Sequence, residues 1–229
     1  MSSSGYQQYQ RKFSPTRRSS RRRVRRERPS AGTTRRRKLH VARTQQPNTR
    51  KRKNKEQWQG GPQPRITPVS PRRVAFNSAY GRGTIVIDTS RRKLFYVLSG
   101  SSAYQYPISV GRQGFQWAGT KRITRVQAWP TWRPPAEMRQ RQPNLPKVMS
   151  GGIYNPLGAK ALYLGSTLYR IHGTNNRKSI GQAASSGCFR MLNGHVMHLA
   201  TIARVGTRVV VLRRLPRNIA RSIRSSSEG

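Results

Sequence analysis

The chain has 229 residues and carries 47 Lys and Arg against 5 Asp and Glu, so its formal net charge is +42 and its pI is near 12.0. This balance excludes an ordinary neutral domain and predicts contact with polyanions, because neutralising their charges releases counterions. A single cysteine, Cys188, excludes an intramolecular disulfide and a Cys-based zinc cluster. The scarcity of acids argues against paired-carboxylate catalysis and carboxylate metal sites.

Residues 1–73 are predicted to form a disordered Arg/Lys-rich tail. They hold 23 basic and 2 acidic side chains, and runs such as 21–26 and 35–38 repel themselves and offer little to bury. The tail is either a polyanion-binding arm or a solvated linker. No transmembrane helix is expected, and no apolar run of a secretory signal is visible near the N-terminus. Residues 74–215 are expected to form one folded domain, and 216–229 a flexible C-terminal tail.

Within that domain, short runs of β-branched and aromatic residues predict an antiparallel sheet that folds into a sandwich or barrel. The segment 129–146 holds five prolines and is predicted to be a long surface loop. A short helix is predicted at 193–205, with Asn193 as its N-cap. The predicted strands are 84–88, 93–98, 104–110, 120–128, 159–164, 168–172 and 207–212.

The best candidates for catalytic residues are His172 and Cys188. His172 lies at the end of a predicted strand, and Cys188 follows a glycine 16 residues later. Cysteine chemistry on acyl carbon needs an imidazole within reach of the sulfur, because the thiolate is the nucleophile. The alternative is a cysteine that serves only as a small buried hydrophobe.

Six segments in order across residues 82–213 resemble the L,D-transpeptidase catalytic domain (YkuD-type) family. The resemblance is carried chiefly by Ile-His-Gly-Thr at 171–174 and by Ser-Ser-Gly-Cys-Phe-Arg-Met at 185–191. Further matches are Ile-Ser-Val-Gly at 108–111, Asn-Pro-Leu-Gly at 155–158 and Gly-Thr-Arg-Val-Val at 206–210. The resemblance implies a mainly β, sandwich-like catalytic domain with a short helix.

It also implies a peptidoglycan L,D-transpeptidase. Cys188 would form a thioester with a tetrapeptide stem and release D-alanine. The acyl group would then pass to an amine, giving a 3-3 crosslink or an anchored protein, or to water, giving L,D-carboxypeptidase activity. No cofactor or metal is expected.

The site residues implied by the resemblance surround these two groups. His172 would act as the base, with its second nitrogen held by the carbonyl of Gly173. Ser185, Ser186 and Gly187 would form the oxyanion and substrate-binding loop, with backbone N–H groups of Ser186, Gly187 and Cys188 as donors. Arg190 would either bind a stem carboxylate or brace the loop.

Two places depart from the family pattern. Ser186 stands where His or Arg is common, and the segment from Trp117 to Thr120 replaces a frequent Thr-Pro-x-Gly turn. His195 and His198 lie three residues apart on the predicted helix and resemble metal ligands, but they lack a third ligand and are expected to be ordinary helix residues.

The expected partners are peptidoglycan stem peptides, with a polyanion contact through the basic tail. That function implies the periplasm or cell envelope, although no signal peptide is visible. The alternative function is a nucleic-acid or cell-wall binding protein, in which the tail binds and the catalytic scaffold is inactive.

Overall fold

The computed structural model describes residues 57–225, and they form a mainly β domain with a few short helices. Most of the predicted tail, residues 1–56, therefore lies outside the described residues. The strands are β1 Gln57–Trp58, β2 Arg72–Ala75, β3 Ile85–Asp88, β4 Lys93–Ser99, β5 Ser102–Pro107, β6 Val110–Gly111, β7 Gly119–Ala128, β8 Val148–Met149, β9 Lys160–Leu164, β10 Arg170–His172, β11 Ala183–Ser185, β12 Phe189–Arg190 and β13 Arg208–Leu212. The helices are α1 Ala136–Arg141, the 3-10 turn Arg177–Ser179, α2 Asn193–Ile202 and α3 Arg217–Ser225.

Nine of these strands form one bent sheet in the order β12-β10-β9-β7-β13-β3-β4-β5-β2. The long strand β7 joins its two halves, because its first part pairs with β13 and its second part, from Ile123 onward, pairs with β9; the β9 pairing contains a register shift between Ile123 and Arg125. Such a shift bends and twists a strand. The main core collects apolar side chains from both halves and from α2. The predicted sandwich-like, mainly β fold is confirmed.

Strand β3 is buried on both faces, which explains its apolar run at 85–87. Ile85 and Ile87 point into the main core, whereas Val86 belongs to a second core on the opposite face of the sheet. Ile219 of α3 is buried in that second core. The predicted flexible tail 216–229 is therefore wrong for 217–225, which form a packed amphipathic helix.

The Pro-rich segment also differs from its prediction. It contains helix α1, which Pro135 precedes at the N-cap position, where a missing N–H group costs nothing. Trp132 and Met149 exchange backbone hydrogen bonds, and β8, which contains Met149, pairs with β1, so the Pro-rich segment is linked through β8 to residues 57–58. No helix within residues 57–225 is long and apolar enough to cross a membrane.

Candidate active site

Neighbouring strands bring the two chemically important residues to one edge of the sheet. β10 and β12 run parallel, and His172 at the end of β10 lies opposite Arg190. Cys188 directly precedes β12, so it lies beside the strand that carries His172. The N–H group of Met191 donates to the carbonyl of His172 at 2.8 Å and extends this pairing beyond the strand end.

His172 is buried, and its ring nitrogen Nδ1 lies 2.6 Å from the carbonyl oxygen of Gly173. A carbonyl can only accept, so Nδ1 carries the proton and Nε2 has the free lone pair. Burial lowers the pKa of His172 to about 3, with help from the Arg190 charge, while the carbonyls of Gly173 and Leu157 partly oppose this effect. The imidazole is therefore neutral at physiological pH and can accept a proton at Nε2.

Cys188 is half-buried, and its thiol donates to the carbonyl oxygen of Leu168 over 3.5 Å. Burial raises the pKa of the thiol, whereas the charges of Arg170 and Arg190 lower it. A raised thiol pKa together with a lowered imidazole pKa makes the resting pair a neutral thiol and a neutral imidazole.

Residues 185–188, which we call the nucleophile loop because they contain the predicted nucleophile Cys188, are stabilised by the side chain of Ser185. Ser185 is buried, and its hydroxyl donates to the carbonyl of Cys188 and accepts the N–H of Gly187 at 3.2 Å. The expected contact of Ser185 with substrate stays a prediction, and in this structure its hydroxyl is occupied inside the loop. The N–H group of Gly187, one of the expected oxyanion donors, donates to this hydroxyl in the structure.

Gly187 is required by the shape of this loop. Its φ is +104°, and a Cβ atom there would lie 2.7 Å from the ring of Tyr169 and 3.2 Å from the carbonyl oxygen of Phe115. Any side chain would therefore displace the nucleophile loop from the surfaces that hold it.

Trp117, in one of the segments that departs from the family pattern, supports the nucleophile loop from outside. Its indole Nε1–H donates to the carbonyl of Gly187 at 3.2 Å. Its ring stacks on Tyr169 with centroids 4.6 Å apart and lies 5.7 Å from the ring of Phe189. Sequence reasoning missed this role because the contact joins residues 70 positions apart. The signal in the sequence that could have indicated this role is the large aromatic side chain of Trp117 in a segment where the family usually has a turn.

The prediction that Asn193 is the helix N-cap is wrong. The residue before it occupies the N-cap position, without a side-chain capping bond. The Asn193 Oδ1 atom instead accepts the N–H groups of Ala159 at 3.0 Å and Thr174 at 3.2 Å. It thereby ties the turn before β9 to the residues that follow His172. Gly158 in that turn has φ +64°, and a Cβ there would lie 2.3 Å from Oδ1.

The two helix histidines bind neighbouring aromatic groups. His198 Nδ1 lies 2.9 Å from the Tyr106 hydroxyl, and the His195 ring packs edge-on against Tyr106 at 5.8 Å. In the part of the chain that the structure describes, no three His, Cys, Asp or Glu side chains are grouped as a metal site.

Comparison with known proteins identifies the family. The model of the L,D-transpeptidase catalytic domain family, YkuD, matches residues 82–211, which is more than half of the chain. The chain therefore belongs to this family, and the prediction from the motifs is confirmed.

Individual relatives match parts of the chain. The Escherichia coli K12 protein named "Probable L,D-transpeptidase YbiS" is 39% identical over 134 residues, covering 55% of this chain and 43% of its own length. The chain thus spans less than half the length of that curated relative.

Two solved structures also match. One from Brucella melitensis, described as a probable carnitine operon oxidoreductase, is 43% identical over 63% of this chain and 94% of that chain, with a TM-score of 0.43. L,D-transpeptidase 3 from Mycobacterium tuberculosis is 13% identical over 56% and 60%, with a TM-score of 0.45. Because both TM-scores are below 0.5, the family assignment rests on the sequence match.

Proposed function

We propose that this chain is a peptidoglycan L,D-transpeptidase that uses Cys188 as its nucleophile. The observation that carries the proposal is that a half-buried thiol directly precedes the strand that pairs with the strand of a buried imidazole, in a chain of this family. The carbonyl of Gly173 orients the imidazole, so a backbone group takes the role that a carboxylate has in other triads.

In the acylation step, Nε2 of His172 accepts the thiol proton while sulfur bonds to the carbonyl carbon of the third stem residue. The C–N bond to D-alanine breaks, and the proton passes from His172 to the leaving amine. The product is a thioester on Cys188 and free D-alanine.

In the second step, an amine attacks the thioester and loses its proton to His172, which restores the thiol. A stem-peptide amine gives a 3-3 crosslink, an amine of a protein gives anchoring, and water gives L,D-carboxypeptidase activity.

Of the donors considered for the oxyanion, the N–H groups of Ser186 and Cys188 remain after Gly187 is assigned to Ser185. Arg190, which lies opposite His172, would bind a substrate carboxylate or brace the loop.

The proposed partners and location follow from this reaction. Peptidoglycan stems would be the substrates, and the periplasm or cell envelope the compartment. The basic residues 1–56 would add a salt-dependent contact with an anionic polymer of the wall, because their charge is high and almost unopposed.

The test is incubation of the purified chain with a disaccharide-tetrapeptide muropeptide, followed by mass spectrometry of the products. We expect free D-alanine together with crosslinked dimers or tripeptides, and neither from Cys188→Ala. Binding of muropeptide or nucleic acid with no D-alanine release from folded protein would favour the binding scaffold instead.

A further inference from the structure

A row of side chains crosses three neighbouring strands and ends beside the nucleophile. Arg125 of β7 lies opposite Tyr163 of β9, and Tyr163 lies opposite Arg170 of β10. The guanidinium of Arg125 is 3.9 Å from the centre of the Tyr163 ring, and that of Arg170 is 5.1 Å away. We refer to Arg125, Tyr163 and Arg170 as the arginine–tyrosine row. The next strand beyond Arg170 is β12, which Cys188 directly precedes.

Arg170, the last residue of this row, and Cys188 donate hydrogen bonds to the same oxygen atom. Nη1 of Arg170 donates to the carbonyl of Leu168 at 2.9 Å, and the thiol of Cys188 donates to the same carbonyl at 3.5 Å. Nε of Arg170 is buried and has no hydrogen-bond partner of ordinary geometry among residues 57–225. A cationic donor without a full hydrogen bond is therefore held next to the sulfur.

Deprotonation converts the Cys188 sulfur from a hydrogen-bond donor to a hydrogen-bond acceptor. The thiol donates to Leu168, whereas a thiolate can only accept, so the bond to the carbonyl ends when the proton leaves. The buried N–H group of Arg170 then gains an acceptor, and a charge-assisted hydrogen bond is stronger than a neutral one.

We propose that Arg170 stabilises the thiolate of Cys188, and that Tyr163 and Arg125 position its guanidinium. The catalytic meaning of this role rests on the proposed function, but thiolate formation itself can be measured without any substrate. In catalysis the thiol proton passes to His172, and during alkylation by a small reagent it passes to solvent.

Other charged and titratable groups surround the nucleophile loop and must be separated from this effect. His172 of β10 and Arg190 of β12 lie opposite each other in the paired strands. The charge of Arg190 also lowers the pKa of Cys188, although less than that of Arg170 does. Tyr169 packs against Gly187, and the N–H of Arg112 donates to the carbonyl of Ser185.

The experiment measures the rate of Cys188 alkylation by iodoacetamide between about pH 6 and 10, followed by intact-protein mass spectrometry. The chain has one cysteine, so the mass reports on Cys188 alone. We expect Arg170→Gln to move the midpoint of the rate profile upward by about one pH unit, as loss of a neighbouring opposite charge does. Arg170→Lys should move it less, because the positive charge remains.

Two further variants separate local from general charge effects. Arg122→Gln removes an exposed arginine of the same sheet that donates to Gly206, and we expect it to leave the midpoint unchanged. Tyr163→Leu removes the ring between the two guanidinium groups and should shift the midpoint in the same direction as Arg170→Gln. Tyr163→Phe keeps the ring and should not shift it.

An unchanged midpoint in Arg170→Gln that remains folded would overturn the inference, and so would an equal shift in Arg122→Gln. If Arg170→Gln does not fold, the comparison of Tyr163→Leu with Tyr163→Phe decides, since equal midpoints contradict the positioning role. A shifted midpoint in a protein that releases no D-alanine would support the thiolate role and reject the proposed function.

Discussion

The buried neutral state of His172 predicts a specific loss of stability in acid. Its pKa is about 3 in the folded chain and near 6.5 when exposed, so below pH 6.5 the unfolded state binds more protons than the native state. The free energy of unfolding must therefore fall as the pH falls from about 6.5 to about 3. At about 1.4 kcal/mol per pKa unit, the full effect is about 5 kcal/mol, of which about 3 kcal/mol is lost between pH 7 and pH 4.

The assay is urea unfolding at a series of pH values, followed by far-ultraviolet circular dichroism. His172→Gln keeps a side-chain N–H for the Gly173 carbonyl but cannot take up a proton, so its stability should depend less on pH by about 3 kcal/mol over this range. His198→Gln is the control, because it removes a partly exposed histidine outside the site. Equal pH dependence in wild type and His172→Gln would refute the reasoning.

Three further predictions concern the supports of the site. Trp117→Phe keeps the aromatic packing but removes the hydrogen bond to the nucleophile loop, so Cys188 acylation should slow about fivefold, equivalent to about 1 kcal/mol, with little change in melting temperature. Gly158→Ala should destabilise the domain by about 2 kcal/mol more than Gly165→Ala in denaturant titrations, because both have positive φ but only Gly158 lacks space for a Cβ. Deleting residues 1–56 should preserve folding and weaken salt-sensitive binding to peptidoglycan sacculi, whereas deleting 1–73 should lower the melting temperature because it removes β1 and half of β2.

The central strands could be predicted closely because their residue types and positions agree. The predicted runs 84–88 and 93–98 correspond to β3 and β4, and the predicted helix 193–205 to the helix at 193–202. Helix α3 was missed because its many basic residues resemble a solvated tail, although Ile219 marks its buried face. In such a chain, overall charge conceals short amphipathic elements.

The motifs identified the candidate site, but the contacts that support it could not be predicted. Cys188 and His172 were found from local sequence, since each lies in a short segment of recognisable pattern. The contacts of Trp117 with Gly187 and of Asn193 with Ala159 join residues 70 and 34 positions apart, and depend on how the strands pair. Arg170 lies outside the motifs, and the role proposed for it depends on the pairing of β10 with β12, which Cys188 directly precedes.

The most direct test of the account is the mass of the intact protein after incubation with a carbapenem, whose ring amide can acylate an activated cysteine. We expect one adduct in the wild type, none in Cys188→Ala, and acylation slower by about 10² to 10⁴ in His172→Gln, as loss of a general base implies. An unmodified wild-type mass after long incubation, with folding verified by circular dichroism, would contradict the assembled Cys188–His172 pair.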